Sequence, residues 1–265
     1  MRRLAGVGVI VTRPLAQSAG LCSLIEAHGA TAFALPAITI DALEPPAGLA
    51  RRIAAGDAFD LVVFTSANAV RHGAGLLGSR RDLEIAAIGP ATRRVLDLAG
   101  YRVAITPRGG FDTEHLLAEP AFADLGGRRV LLVKGVGGRD LLARELEARG
   151  ARVVPVDVYR RAPAAPDSAR LRELEAQLDG GALQVVTATS VEIATALLAI
   201  STPTLRAALD RLHWLVPAGR VADALASLGI AGPRIEARSP EDPALVEALS
   251  RWALGRSGGY SNEST

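Results

Sequence analysis

The chain has 265 residues, 49% of them hydrophobic, with a mean hydropathy of +0.24; that is apolar material for one large core or two smaller ones, and the length favours two. Its 30 Lys and Arg against 28 Asp and Glu leave a net charge of only +2, and aromatics at 4% are too few for base-stacking platforms, so nucleic acid is excluded as a partner while a small polyanionic ligand is compatible. A single cysteine, Cys22, rules out an intramolecular disulfide and no apolar run approaches a membrane span, so a soluble, cytoplasmic protein without membrane contact is expected.

In chain order, residues 7–11 read as a strand, and Arg13 and Pro14 end this apolar stretch too early for a signal peptide. Residues 14–28 form a helix with Pro in its first turn, on which Cys22 lies beside Leu21 and Leu24 as a core thiol, and residues 31–35 form a strand. Residues 38–43 are extended and run into Glu44-Pro45-Pro46. A helix over 49–55, a strand over 61–64, a helix over 66–77, a strand over 85–88, a helix over 90–99, a short strand over 103–105 and a helix over 113–118 follow. Arginine pairs such as Arg51-Arg52, Arg80-Arg81 and Arg93-Arg94 are dispersed along helices as solvated faces.

The middle of the chain carries the strongest local signal. Residues 130–133 are a buried-strand run, Gly135, Gly137 and Gly138 leave backbone N–H groups uncovered, and a helix over 139–149 points its positive N-terminal end at the same spot, with Lys134 and Arg139 on either side. This is an anion cradle, or else a tight turn with solvated charges. Asp140 stands where a dinucleotide fingerprint needs a third Gly or Ala, although Asp157 lies where a ribose-binding acid would; with no Lys-Ser/Thr ending, a P-loop is excluded. Gly150 follows as the C′ residue, then a strand over 153–156 and a Pro-rich stretch over 162–166. Helices over 169–178, 191–200, 205–212, 218–228 and 243–254, with strands over 184–187, 214–216 and 235–237, complete the ordered part; residues 257–265 are polar and Gly/Ser-rich and are read as disordered. Unbroken alternation of strands and helices means an α/β fold of parallel sheets covered on both faces.

The sequence also repeats itself. Val9-Ile10-Val11-Thr12-Arg13-Pro14 through Gly29-Ala30 aligns without gaps on Val130 to Gly135 through Gly150-Ala151, Phe64-Thr65-Ser66-Ala67 aligns on Ala188-Thr189-Ser190-Val191, and Gly89-Pro90-Ala91-Thr92 aligns on Val216-Pro217-Ala218-Gly219, all in one order at nearly one offset. Either copy, roughly 125 residues, is large enough for one small doubly wound domain. In both copies polar or glycine residues fall just past strand ends, where open α/β sheets carry their ligand crevice. Thr or Ser at such a place is also an ordinary helix N-cap. Four histidines, His28, His72, His115 and His213, show no ligand spacing, so no metal is expected.

Taken together, Val11-Thr12-Arg13-Pro14, Phe64 to Val70, Ala87-Ile88-Gly89-Pro90-Ala91-Thr92, the run from Gly127 to Arg161 with Val158-Tyr159-Arg160-Arg161, and Thr189-Ser190 resemble uroporphyrinogen-III synthases in order and spacing, up to about Leu254. The resemblance implies two flavodoxin-like doubly wound parallel-sheet domains of interleaved topology joined by a two-strand linker: residues 1–37 plus 164–255 as domain one, 43–156 as domain two, 38–42 and 157–163 as linker strands, and 256–265 as a disordered tail. It implies cyclisation of hydroxymethylbilane to uroporphyrinogen III with loss of water and inversion of ring D, in tetrapyrrole biosynthesis, by a monomer that needs no cofactor and takes its substrate from hydroxymethylbilane synthase. Tyr159 is the candidate catalytic residue. Candidate substrate contacts in the first copy are Thr12, Arg13 and Pro14; Thr65, Ser66, Ala67 and Asn68; and Gly89 with Thr92. In the second copy they are Lys134, Gly135, Gly138 and Arg139; Thr189, Ser190 and Val191; and Ala218 with Arg220. The turn at Pro217 departs from the family pattern, since proline has no N–H to offer. From periodicity alone, a two-lobed small-molecule binding protein or a dinucleotide-dependent oxidoreductase remains open.

Overall fold

The computed structural model describes residues 3–55, 59–137 and 140–257. Its strands are β1 (Gly8–Val11), β2 (Thr31–Ala34), β3 (Ile38–Ala42), β4 (Leu61–Phe64), β5 (Glu84–Ala87), β6 (Arg129–Gly135), β7 (Arg152–Pro163), β8 (Val185–Thr187), β9 (His213–Pro217) and β10 (Arg234–Ala237). The helices are α1 (Leu15–Ala27), α2 (Leu49–Ala54), α3 (Ala67–Gly73), α4 (Pro90–Leu98), α5 (Thr113–Leu117), α6 (Leu141–Ala148), α7 (Ser168–Asp179), α8 (Val191–Ile200), α9 (Pro203–Leu209), α10 (Arg220–Ser227) and α11 (Asp242–Ser257). The chain divides into two compact units, one of Met1–Thr39 with Ala162–Thr265 and one of Ile40–Arg161.

The first unit holds a sheet in the order β10-β9-β8-β1-β2, with parallel pairing throughout. Because β1 leads to β2 in one direction and β8 leads to β9 and β10 in the other, the topological switch point lies between β1 and β8. Alternate residues of each strand enter opposite cores. Ile10, Val186 and Trp214 pack with Leu174, Ile193, Leu205 and Leu225 from α7 to α10, while Val9, Val185 and Leu215 pack with Leu21 and Ile25 of α1 and with Leu245 and Leu249 of α11. Trp214 is fully buried, and its indole N–H is satisfied by the Leu209 carbonyl at 2.9 Å, as an interior Trp requires.

The second unit has the order β3-β7-β6-β4-β5. Here β4 leads to β5 one way and β6 to β7 the other, so the switch point lies between β4 and β6. Val62, Phe64, Leu131 and Val133 face Leu49 and Ile53 of α2, Val70 of α3 and Leu96 of α4; Leu61, Val63, Val130 and Leu132 face Leu116 of α5 and Leu142 and Leu146 of α6. Fully buried strands with both faces covered explain why 130–133 is apolar at every position.

The repeated segments end in the same helix cap. Gly29 (φ 93°) and Gly150 (φ 88°) both occupy the left-handed C′ position; their N–H groups bond Glu26 and Glu147, and the next residues, Ala30 and Ala151, bond Ile25 and Leu146. The repeat does not coincide with a unit, however. The first copy supplies β1 and β2 to one unit and β4 and β5 to the other, and the second copy supplies β6 and β7, then β8 and β9. A single βαβ pair cannot cover both its faces, and each unit is completed by a pair from the other copy.

Several boundaries differ from the sequence reading. Residues 103–105 make no strand, only a bridge from Ile105 to Ala86 at the sheet edge, where Arg102 and Ala104 are exposed. The expected helix over 66–77 is α3 followed by a 3-10 turn, Ala74–Leu77. Pro14 is the N-cap of α1 instead of a first-turn residue, and α6 starts at Leu141 instead of 139. Strand β6 continues to Gly135, so Lys134 and Gly135 are strand residues and not turn residues, and β7 runs for 12 residues, continuing through residues 157–163. The last helix extends to Ser257; residues 258–265 of the expected tail lie outside the described residues, as do Gly138 and Arg139.

Candidate active site

At the switch point of the second unit, a cavity of about 470 Å³ lies beyond the ends of β4 and β6. Thr65 and Ser66 reach it from β4, Lys134, Gly135, Val136 and Gly137 from β6, Tyr159 and Arg161 from β7, and Asp112, Thr113 and Glu114 from the start of α5. Every lining residue belongs to this one unit.

Ser66 has extended backbone and caps α3, its Oγ accepting the Ala69 N–H at 3.0 Å. The same oxygen lies 3.1 Å from the Tyr159 hydroxyl. Thr65 is held by the Val133 carbonyl, which accepts from its N–H at 3.2 Å and its hydroxyl at 3.3 Å. Ala67 opens α3, and Asn68 is buried with its Oδ1 accepting from Arg71 at 2.9 Å.

Tyr159 owes its position to an irregularity. The β6–β7 register pairs Lys134 with Asp157 but Gly135 with Tyr159, so one extra residue stands in β7, and both Val158 and Tyr159 are buried where strict alternation would bury only one. The phenol ring lies over Gly135. A Cβ on that glycine would sit 2.5 Å from Tyr159 Cζ, so only glycine leaves room for the ring. Arg161 Nη2 donates to the Tyr159 oxygen at 3.3 Å, its guanidinium carbon is 5.5 Å from the ring centroid, and the His72 ring centroid lies 5.9 Å from it. Lys134 forms an ion pair with Asp157 at 3.1 Å, so the acid standing at the ribose-binding position is occupied by a lysine. Asp112 caps α5 through the His115 N–H at 2.9 Å and also meets His115 Nδ1 at 2.6 Å.

The equivalent rim of the first unit is built differently. Thr12 is fully buried: its hydroxyl donates to the Thr187 carbonyl at 2.5 Å, and its N–H donates to Thr187 Oγ1 at 3.2 Å, closing the gap between β1 and β8. Arg13 is tied to Asp242 and the Pro240 carbonyl, and Pro14 is buried. Ser190 caps α8 by accepting from Ile193 at 3.2 Å, with Thr189 and Val191 half-buried beside it. Ala218 and Arg220 are exposed, and the Ala218 N–H is already bonded to the Ala237 carbonyl at 2.8 Å. In the second unit Gly89 is the N-cap of α4, and Thr92 is buried within that helix.

The structure thus gathers Thr65, Ser66, Lys134, Gly135 and Tyr159 around one cavity, and it adds residues that the sequence did not single out. Asp112, Thr113 and Glu114 belong to a helix start whose neighbourhood with β6 depends on the return of the chain from β5. Arg161 had a legible signal, since it follows Tyr159 by two residues on one strand and so leans to the same side. Elsewhere, burial pushes the Cys22 thiol above its ordinary range, with Glu26 and Asp242 adding to the shift, which is the setting of a core thiol. Burial, helped by Arg256, pushes His213 down where it packs 4.8 Å from the Trp252 ring. Among the described residues, no three His, Cys, Asp or Glu are gathered as a metal site, and no helix is long and apolar enough to cross a membrane.

Residues 20–247 match the family model of uroporphyrinogen-III synthase HemD. A protein of Methanothermobacter thermautotrophicus, provisionally named a uroporphyrinogen-III synthase, is 35% identical over 188 residues, which span 68% of this chain and 72% of that one. The uroporphyrinogen-III synthase of Salmonella typhimurium is 33% identical over 165 residues, 58% of this chain and 65% of that enzyme, so the alignment spans about two thirds of that relative. In three dimensions the chain is similar to a mutant uroporphyrinogen III synthase of the extreme thermophile Thermus thermophilus, with a TM-score of 0.59 and 24% identity over 94% of this chain and 99% of that one, a likeness of fold. The matched stretch of sequence contains β4, β6 and β7 with Ser66, Lys134, Gly135 and Tyr159, and it begins after Thr12, Arg13 and Pro14. The chain belongs to the uroporphyrinogen-III synthase family.

Proposed function

We propose that this protein cyclises hydroxymethylbilane to uroporphyrinogen III, and that Tyr159 assists the first chemical step. The observation that carries this reading, beside the family, is the buried phenol held between Ser66 and Arg161 at the switch-point cavity. Loss of the terminal hydroxyl as water needs a proton delivered to that oxygen, and a phenol within hydrogen-bond reach is a suitable donor. The pyrrole nitrogen stabilises the azafulvene that results, so a weak acid suffices. Attack by the substituted carbon of ring D then gives a spiro intermediate, which fragments and recloses with that ring inverted.

Unaided, the bilane closes to the isomer with ring D unrotated, so the enzyme has chiefly to hold a conformation. Carboxylates on every ring suit backbone N–H groups at the strand-to-helix turns and the cation Lys134. A cavity of about 470 Å³ is in the range of small-molecule sites, open enough to admit part of a tetrapyrrole. Spontaneous closure also makes direct transfer from hydroxymethylbilane synthase advantageous. The deciding experiment incubates the protein with hydroxymethylbilane, oxidises the product and resolves the porphyrin isomers. Type III is expected; type I alone would overturn the reading.

A further inference from the structure

We propose that Arg161 and Ser66 are positioning residues that act through Tyr159, fixing its phenol oxygen as a double acceptor so that its own proton points into the cavity. The inference rests on the role given above to Tyr159 and extends it by assigning the hydrogen-bond directions and the group that receives the charge.

One direction follows from what the groups can do, and the other is assigned by the proposal. A guanidinium has donors only, so the 3.3 Å contact from Arg161 Nη2 occupies one acceptor site of the phenol oxygen. Ser66 Oγ already accepts the Ala69 N–H at 3.0 Å, which leaves its proton to be placed, and the Tyr159 oxygen is 3.1 Å away. With Ser66 donating, the phenol oxygen accepts twice and its proton turns towards the cavity. The ring itself is held in place: it is 3% exposed, lies against Gly135 and is 5.9 Å from the His72 ring.

The step balances without any further reactant. The Tyr159 proton passes to the terminal hydroxyl oxygen of the bilane, the carbon–oxygen bond breaks, and water leaves. The electron pair of the pyrrole nitrogen fills the vacancy at carbon, and negative charge stays on the phenol oxygen, where the Arg161 N–H becomes a charge-assisted donor. The proton lost when the last pyrrole regains aromaticity restores the phenol. Arg161 and Ser66 touch the phenol and not the breaking bond.

The test is a double-mutant cycle on the full chain with hydroxymethylbilane. Arg161→Gln is expected to lower kcat by about 10- to 100-fold, the range for a hydrogen bond to a charged group, to leave KM within about twofold, and to cost nothing further in a Tyr159→Phe background. Arg161→Lys, which keeps a cationic donor, should recover part of the loss. Equal losses in both backgrounds, or a rise in KM alone, would mean that Arg161 binds substrate carboxylates directly and would overturn the proposal. A second readout does not depend on turnover: with 13Cζ-labelled tyrosine, three in the chain, the Tyr159 resonance should move in both Arg161→Gln and Ser66→Ala. A stationary resonance overturns the proposal even in a fully active enzyme. A moving resonance in a wild-type protein that yields no type III isomer overturns instead the functional reading on which it rests.

Discussion

The two units of this chain place homologous segments at their switch points and use the residues beyond them differently. In the first unit the ends of β1 and β8 are joined: Thr12 and Thr187 exchange hydrogen bonds through their side chains, and Arg13 is bound to Asp242. In the second unit the ends of β4 and β6 are also bonded, Thr65 giving its N–H and its hydroxyl to the Val133 carbonyl, but the aligned cation Lys134 is drawn sideways to Asp157, and Tyr159 fills the space above Gly135 beside a cavity. Where the first copy has Pro14 and Ile38, the second has Gly135 and Tyr159, and the glycine with the extra residue in β7 lets the aromatic ring lie on the strand end. A duplicated scaffold therefore does not imply duplicated chemistry. The cavity lies in the unit whose rim brings Ser66 and Tyr159 into hydrogen-bond contact.

The contrast is most strongly tested by Gly135→Ala. The new Cβ would meet Tyr159 Cζ at 2.5 Å, so the ring must leave its place between Ser66 and Arg161. Turnover is expected to fall by at least about 100-fold, the lower end of what general acid–base groups supply, with a loss in stability of about 1–3 kcal/mol as in other overpacked sites. Steady-state assays with thermal melting check both. Tyr159→Phe keeps the ring and removes only the hydroxyl. It should lower turnover by roughly 10- to 1000-fold while leaving the isomer formed and the melting temperature nearly unchanged. An altered isomer ratio would make Tyr159 a residue that orients ring D.

Thr12→Val asks the converse question of the first unit. The substitution leaves the Thr187 groups in a fully buried position without the Thr12 hydroxyl, at a cost of about 1–2 kcal/mol, with turnover of the remaining folded protein unchanged. Denaturant unfolding and specific activity of the soluble fraction separate the two. Ser190→Ala removes the α8 cap for about 1 kcal/mol and should leave kcat alone, whereas Ser66→Ala should affect both stability and kcat, because Ser66 also bonds Tyr159. If both serine variants lost kcat equally, the asymmetry between the units would fail.

The smallest effect is a pH dependence confined to the first unit. His213 has its folded pKa pushed down by burial and by Arg256, so below its ordinary pKa of about 6.5 the unfolded chain binds more protons than the folded one. Stability should be undiminished above that pH, begin to fall as the pH drops through it, and lose no more from this group once the pH is below the folded value. Melting curves at neutral and mildly acidic pH, compared between wild type and His213→Gln, should show a shallower decline in the variant.

Much of this was legible in the residues themselves. Apolar runs and period changes marked the α/β class, and Gly150, read as a C′ residue, closes α6 in a Schellman cap that Gly29 repeats after α1. The aligned Ser66 and Ser190 proved to be caps of α3 and α8, because a serine oxygen followed by three helical residues makes that bond locally. What the sequence determined alone was everything set by neighbours along the chain: strand cores, helix caps and the duplication. The tertiary structure decided the rest, for reasons of distance in sequence. Which βαβ pair completes which sheet depends on covering both faces of each sheet, and no local pattern encodes it. The extra residue that turns Tyr159 onto Gly135 exists only in the register between two paired strands. Whether a rim threonine faces a ligand or is buried against its partner, as Thr12 is against Thr187, depends on how closely two strand ends approach.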